Sequence, residues 1–398
     1  MSRSLYPKIS TFQKEWLTVG DGHELYIEQS GNQNGIPLLY LHGGPGSGSS
    51  ENHRRYFDPE KYRIILFDQR GCGLSKPSPS TKNNTTAHLI ADIEVIRKHL
   101  NVDKWLVCGG SWGTTLALSY GIEHPEKVLA FILRGIFLAT QAEYCWLYSS
   151  QGANHFFPEY YQEFIDHLPV KFKKEPLAGY HQLLNSTNEV AVISASKEWS
   201  LWELRLSTLE HYHIGMAQID DPHQALCMAK VSCHFFTHNC FIKENYILDN
   251  IAKISSIPAI ILHGRYDMVC QLQQAYQLAK NWQNAQLQIL PYSGHSGFER
   301  QTIDAFCRAS DTMANFLDEQ YNKISPLLIR CFTFAWEVVV YNSSNTLHLE
   351  SILFSIGQQT GAQLTTTNTL NFKILLPLHA LSDHKFYSVM CPDIDFNT

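Results

Sequence analysis

The amino-acid sequence predicts an α/β protein: a mostly parallel sheet with helices on both faces and a helical cap inserted into it. Three observations lead there. Between residues 25 and 135 short apolar runs, each ended by a glycine or a turn, alternate with helix-period segments. From about residue 140 to 245 the rhythm stops and aromatic and histidine residues crowd in. It then returns as IPAIILHGRYD and AQLQILPYSGH. Strands alternating with helices bury both faces of a sheet, which is the parallel arrangement.

The strands are read from LYIEQ, PLLYLHGG, YRIILFDQRG, WLVCGGS and VLAFILRG, short runs rich in Leu, Ile and Val that suit burial on two sides. Between them, TTAHLIADIEVIRKHL places Leu89, Ile93 and Ile96 on one helical face, and TTLALSYGIEHP reads as a helix stopped before Pro125. The interruption contains helical stretches such as KEWSLWELRLSTLE and no clear buried strand, so it reads as the cap. After the last strand, DAFCRASDTMANFLDEQY is helical. Further on, FAWEVVVYNSS and LNFKILLPL read as strands separated by polar sequence. The expected organisation is a first core part at 1–139, a cap at 140–245, a second core part at 246–322 and a C-terminal extension of uncertain fold at 323–398.

Composition narrows the chemistry. At 398 residues, with 44% hydrophobic and 17% charged residues, the chain can bury a large core. Its net charge of −6 and lack of a Lys/Arg cluster argue against nucleic acid, and a small-molecule partner is expected. The opening MSRSLYPKIS lacks an apolar core, and VLAFILRGIFLA is short and carries Arg134. No signal peptide or membrane span is expected, and the expected compartment is the cytoplasm. Ten cysteines then read as reduced thiols. Cys227, Cys233, His234, His238 and Cys240 lie close in sequence without zinc-site spacing, so neither a metal nor a cofactor is expected.

In VCGGSWGTTLA, Gly109, Ser111 and Gly113 fit G-x-S-x-G between a strand and a helix. Such a turn lifts a serine hydroxyl out of the sheet, at a helix N-terminus whose unpaired N–H groups favour developing negative charge. A serine needs a base, and the base needs an orienting acid. On this scaffold they follow in the order Ser, acid, His, each after a late strand. Asp267 in HGRYD and His295 in SGHSG occupy those places. The loop LHGGPGSGSS follows an earlier strand. The backbone N–H groups of Gly44 and Trp112 are therefore the expected oxyanion donors, each worth roughly 3 to 4 kcal/mol.

Together HGGPG, DQRGCGLSKP, GGSWGTTLAL, RGIFL, SSQGANHFFPE, HGRYD and GHSG closely resemble the proline iminopeptidases, α/β-hydrolase-fold serine peptidases, over residues 5 to 320 or so. The resemblance implies release of N-terminal proline from short peptides, with Ser111, Asp267 and His295 catalytic and Phe137 lining an apolar pocket for the proline ring. It also places Glu203, in WSLWELRL, where the family grips the substrate's charged imino group. The family's second glutamate falls at Ser232 in AKVSCHFFTH. Glu210 and Glu244 are acids that could compensate. That departure keeps an esterase, an amidase or a broader aminopeptidase as the alternative.

Overall fold

A computed structural model describes residues 2–209 and 221–339, with side chains of the last helix described as far as residue 319. Eight strands form one sheet in the order β1-β2-β4-β3-β5-β6-β7-β8. They are β1 (Thr11–Gly20), β2 (His23–Gly31), β3 (Ile36–Leu41), β4 (Tyr62–Phe67), β5 (Trp105–Ser111), β6 (Val128–Ile136), β7 (Ala259–Gly264) and β8 (Ala285–Leu290). From β4 to β8 every pairing is parallel, whereas β2 runs antiparallel to both its neighbours. The first strand was not legible as a buried run because it is an edge: Leu17 and Val19 pack inward while Phe12 and Trp16 face solvent.

Parallel strands need crossovers, and here the crossovers cover the sheet. α1 (Thr86–His99) lies between β4 and β5, and α2 (Trp112–Glu123) between β5 and β6. Leu89, Ile93 and Ile96 are buried with Leu39, Ile65, Val107 and Phe131 in one core. Fully burying a side chain of this kind contributes about 1.5 to 3 kcal/mol.

Between β6 and β7 the chain leaves the sheet as α3 (Gln141–Tyr148), α4 (Pro158–Asp166), α5 (Pro176–Leu184), α6 (Glu189–Ser207) and α7 (Pro222–Thr237). The short α8 (Tyr246–Asn250) returns it. Rings replace aliphatic chains in this insertion: Phe164 stacks on Tyr180 with centroids 4.4 Å apart, and Tyr148 on Trp199 at 4.9 Å. α9 (Leu272–Lys280) joins β7 to β8, and α10 (Arg300–Val339) follows.

The chain divides into two compact units, 1–315 and 316–398. In the first, α10 buries Phe306 against Tyr56 and Phe57, with ring centroids 4.6 and 5.8 Å apart. Of the second, the described residues are helical to Val339. This corrects the strand expected from FAWEVVVYNSS, since Phe334–Val339 are helix. Extending a helix already nucleated costs one residue's order per bond, and valine's helix penalty is a fraction of a kcal/mol. The helix also runs through the boundary expected at 322 and 323. The segment LNFKILLPL lies outside the described residues.

Candidate active site

β5 ends on Ser111 and α2 begins with the next residue. Ser111 takes φ 57° and ψ −128°, a conformation that costs a residue with a Cβ on the order of 1–3 kcal/mol. Close packing holds it there. A Cβ at Gly109 would lie 2.5 Å from Gly113 O, and one at Gly113 would lie 2.2 Å from Leu41 O. G-x-S-x-G is thus a steric requirement in this turn, and Trp112 brings the first N–H of α2 beside the serine.

The loop after β3 lies against the same turn. A Cβ at Gly43 would be 3.4 Å from Ser111 Cβ, and Gly44 follows with φ 108°. Gln69 ties this loop to α2: its Nε2 donates to His42 O at 3.0 Å, and its Oε1 accepts the Trp112 Nε1 proton at 2.9 Å. The Gln69 N–H donates to His42 Nε2 at 3.0 Å, and burial pushes the His42 pKa down, so this ring is a neutral acceptor. DQRG is anchored in turn, because Arg70 grips Asp92 through two bonds of 2.6 and 2.8 Å.

Asp267 and His295 follow β7 and β8. His295 Nδ1 is 2.7 Å from Asp267 Oδ2. A carboxylate only accepts, so Nδ1 carries the proton and Nε2 is left as the basic nitrogen. Asp267 Oδ1 accepts the N–H groups of Val269 at 3.0 Å and Cys270 at 2.8 Å. Burial works to raise the Asp267 pKa, but His295, His263 and the Cys270 N–H outweigh it and hold the carboxyl below its ordinary range. His263 accepts the Ile136 N–H on Nδ1 and donates from Nε2 to Cys270 O at 2.8 Å, pinning the turn that carries Asp267. Burial pushes the pKa of the Cys270 thiol well up. Ser111, Asp267 and His295 thus all lie at the C-terminal ends of parallel strands, after β5, β7 and β8.

Phe137 follows Ile136, the β6 partner of Ser111. It packs edge-on to Tyr144 and Phe236, with centroids 5.9 and 5.7 Å away, and Phe236 continues to Tyr148 at 5.8 Å. Glu203 of α6 belongs to this wall: it is 8% exposed, and its Oε1 accepts the Tyr148 hydroxyl at 2.6 Å. Burial pushes its pKa up to about 7, against the hydrogen bond from Tyr148. α7 closes over the Gly44 loop, where a Cβ at Gly46 would come within 2.7 Å of Cys227 O.

The other residues singled out by sequence scatter. Ser232 is buried and spends its hydroxyl on Met228 O at 2.5 Å, within its own helix. Glu244 accepts the Gln141 N–H at 3.0 Å, and Glu210 lies outside the described residues. Cys227 meets Ser78 Oγ at 3.1 Å, His234 meets Asn84 O at 3.0 Å, and Cys240 accepts the Tyr144 hydroxyl at 3.1 Å. Cys233 lies 3.8 Å from Leu177 O, and His238 Nδ1 2.7 Å from His234 O. Among the described residues no three or more His, Cys, Asp or Glu side chains are grouped to hold a metal ion, and no helix is long and apolar enough to cross a membrane.

Sequence reasoning passed over Tyr144, Tyr148, Trp199 and Phe236, whose only signal was the abundance of aromatics between the two core parts. It also passed over Glu143. That carboxyl accepts the N–H groups of Leu138 and Thr140 at 3.0 and 2.9 Å and is pushed by burial to about 7.

A family model described as the alpha/beta hydrolase fold matches residues 36–301. The proline iminopeptidase of Xylella fastidiosa (strain 9a5c) is 45% identical over 311 residues, 78% of this chain and 99% of that protein. The proline iminopeptidase of Arabidopsis thaliana is 42% identical over 299 residues, 75% of this chain and 78% of that one. Among solved structures, an esterase from Exiguobacterium antarcticum superposes with a TM-score of 0.53 at 19% identity, covering 76% of this chain and all of its own, a likeness of fold alone. The chain belongs to the proline iminopeptidase family, serine exopeptidases built on the α/β-hydrolase fold.

Proposed function

We propose that Ser111, His295 and Asp267 act as the catalytic triad of an exopeptidase that releases N-terminal proline from short peptides, with Glu203 and Phe137 reading the proline. Ser111 Oγ attacks the carbonyl carbon of the first peptide bond while His295 Nε2 takes its proton. The N–H groups of Gly44 and Trp112 receive the oxyanion. His295 returns the proton to the leaving amine, and water then hydrolyses the prolyl-enzyme by the same steps. Nucleophile, base and oxyanion donors are all protein groups, so the reaction calls for no cofactor or metal ion.

One observation carries the proline reading: Glu203 is a buried carboxyl, held by Tyr148, in the aromatic wall that contains Phe137. Flat apolar walls suit a pyrrolidine ring, and a carboxylate suits its secondary ammonium. Ser232 favours a second reading. Its hydroxyl is turned into its own helix and adds no charge to the site, which leaves room for esters or other aminoacyl groups. A cytoplasmic setting accords with the eight described cysteines, all of them free.

Hydrolysis of proline β-naphthylamide beside alanine β-naphthylamide, with labelling of Ser111 by a fluorophosphonate, tests the assignment. Labelling together with at least a tenfold preference for proline is the expected result. Labelling with equal or greater turnover of simple acyl esters would transfer the assignment to the second reading. Failure to label would remove the triad.

A further inference from the structure

The loop of residues 293–298, which carries His295, is held from two sides. On the sheet side Arg134 Nη1 donates to His295 O at 2.5 Å, and the Tyr56 hydroxyl donates to Gly297 O at 2.8 Å. On the cap side the N–H groups of His295 and Ser296 both donate to Ser207 O, at 3.0 and 2.8 Å. Ser207 ends α6, one turn beyond Glu203, and its hydroxyl donates back to Glu203 O at 2.7 Å. One turn of helix and two backbone bonds thus separate the carboxyl proposed to meet the substrate's amine from the imidazole proposed to take the Ser111 proton.

Glu299 completes this link. Its Oε2 accepts the Gly294 N–H at 2.6 Å, beside His295, and its Oε1 accepts the Leu209 N–H at 3.0 Å, just past the end of α6. Bridging two N–H groups needs an acceptor on both oxygens, which an ionised carboxylate offers and an amide does not. Neither partner is in the same element as Glu299, so these bonds stabilise no helix or strand of its own. They join the cap to the histidine loop.

We propose that Glu299 is a positioning residue that sets α6, and with it Glu203, in register with His295. The proposal rests on Glu203 reading the substrate amine. Removing the bridge leaves the sheet-side contacts of Arg134, Tyr56 and Asp267 with the histidine loop intact, so the base still works. What is lost is the alignment of an amine-anchored substrate with that base, which geometry-sensitive attack requires.

The test uses the full chain with two substrates, proline β-naphthylamide and p-nitrophenyl acetate, which has no amine. Glu299→Gln is expected to lower kcat/KM about tenfold on the prolyl substrate, with the loss mainly in kcat, and less than about threefold on the ester. Combined with Glu203→Gln it should add little, since coupled residues do not sum. Leu209→Pro removes the cap-side N–H along with a half-exposed side chain, at a site where the preceding Thr208 is already extended as a residue before proline must be. It should give the same selective loss at smaller size, and it serves if Glu299→Gln does not fold. Equal losses on both substrates, or strictly additive losses in the double variant, would overturn the proposal. A Glu203→Gln variant with no preferential loss on the prolyl substrate would instead overturn the reading of the amine on which it rests.

Discussion

Two buried carboxyls in this molecule are treated in opposite ways. Asp267, at the sheet edge, receives two backbone N–H groups and an imidazole, and they hold it ionised despite complete burial. Glu203, in the cap, receives one phenolic hydroxyl among aromatic rings, and burial carries it up to about 7. On the proposed reading, the difference assigns chemistry and recognition to separate places. The C-terminal ends of the strands hold a fixed charge on Asp267, which the proposed triad would use for acyl transfer on any substrate. The cap holds a buried carboxyl with a raised pKa, which on the proposed reading gains its charge when the substrate's cation arrives.

If the two regions divide the work this way, substitutions at the sheet edge should damage all substrates alike. Ser111→Ala should lower kcat by about 10³- to 10⁶-fold on a prolyl amide and on an amine-free ester equally, with the fold retained by circular dichroism. Residual turnover within tenfold of the wild type would break the comparison at its first term. Asp267→Asn should cost about 10⁴-fold in kcat, again on both substrates, because it destroys the tautomer of His295.

The cap should behave differently with pH. If Glu203 reads the amine as proposed, a cationic substrate needs its carboxylate, and kcat/KM on the prolyl amide should rise relative to the ester as pH rises through about 7. Any ionisation of the hydrolytic groups is common to both substrates and cancels in the ratio. A ratio that stays flat between pH 6 and 8 would detach Glu203 from recognition. The free enzyme should show a matching stability effect. With its pKa raised in the folded state, Glu203 holds a proton that the unfolded chain releases, so stability falls as pH rises from the ordinary glutamate range to about 7. Glu203→Gln should reduce that slope in urea unfolding measured across this range, and an unchanged slope would mean that the carboxyl is not buried as described.

The contrast also explains what was legible in the sequence. Strands β2 to β8 and the positions of Ser111, Asp267 and His295 follow from local patterns: apolar runs, a steric glycine turn, and the order of motifs after strands. The cap's pocket does not, because Phe137, Tyr148 and Phe236 meet through helices whose packing no local period specifies. β1 escaped notice as a half-exposed edge, and Phe334–Val339 proved helical because the helix was already running. Ser232 was noticed for the charge it lacks, and the structure adds that its hydroxyl is already committed to Met228 O.

The most direct measurement compares kcat/KM for proline β-naphthylamide and N-acetylproline β-naphthylamide in the wild type and in Glu203→Gln. Loss of one charge-assisted contact should reduce turnover of the free-amine substrate about 10- to 100-fold and leave the acetylated one within about twofold. Equal turnover of both substrates by the wild type, or an equal loss on both in the variant, would contradict the claim that the cap reads the amine while the sheet edge performs the chemistry.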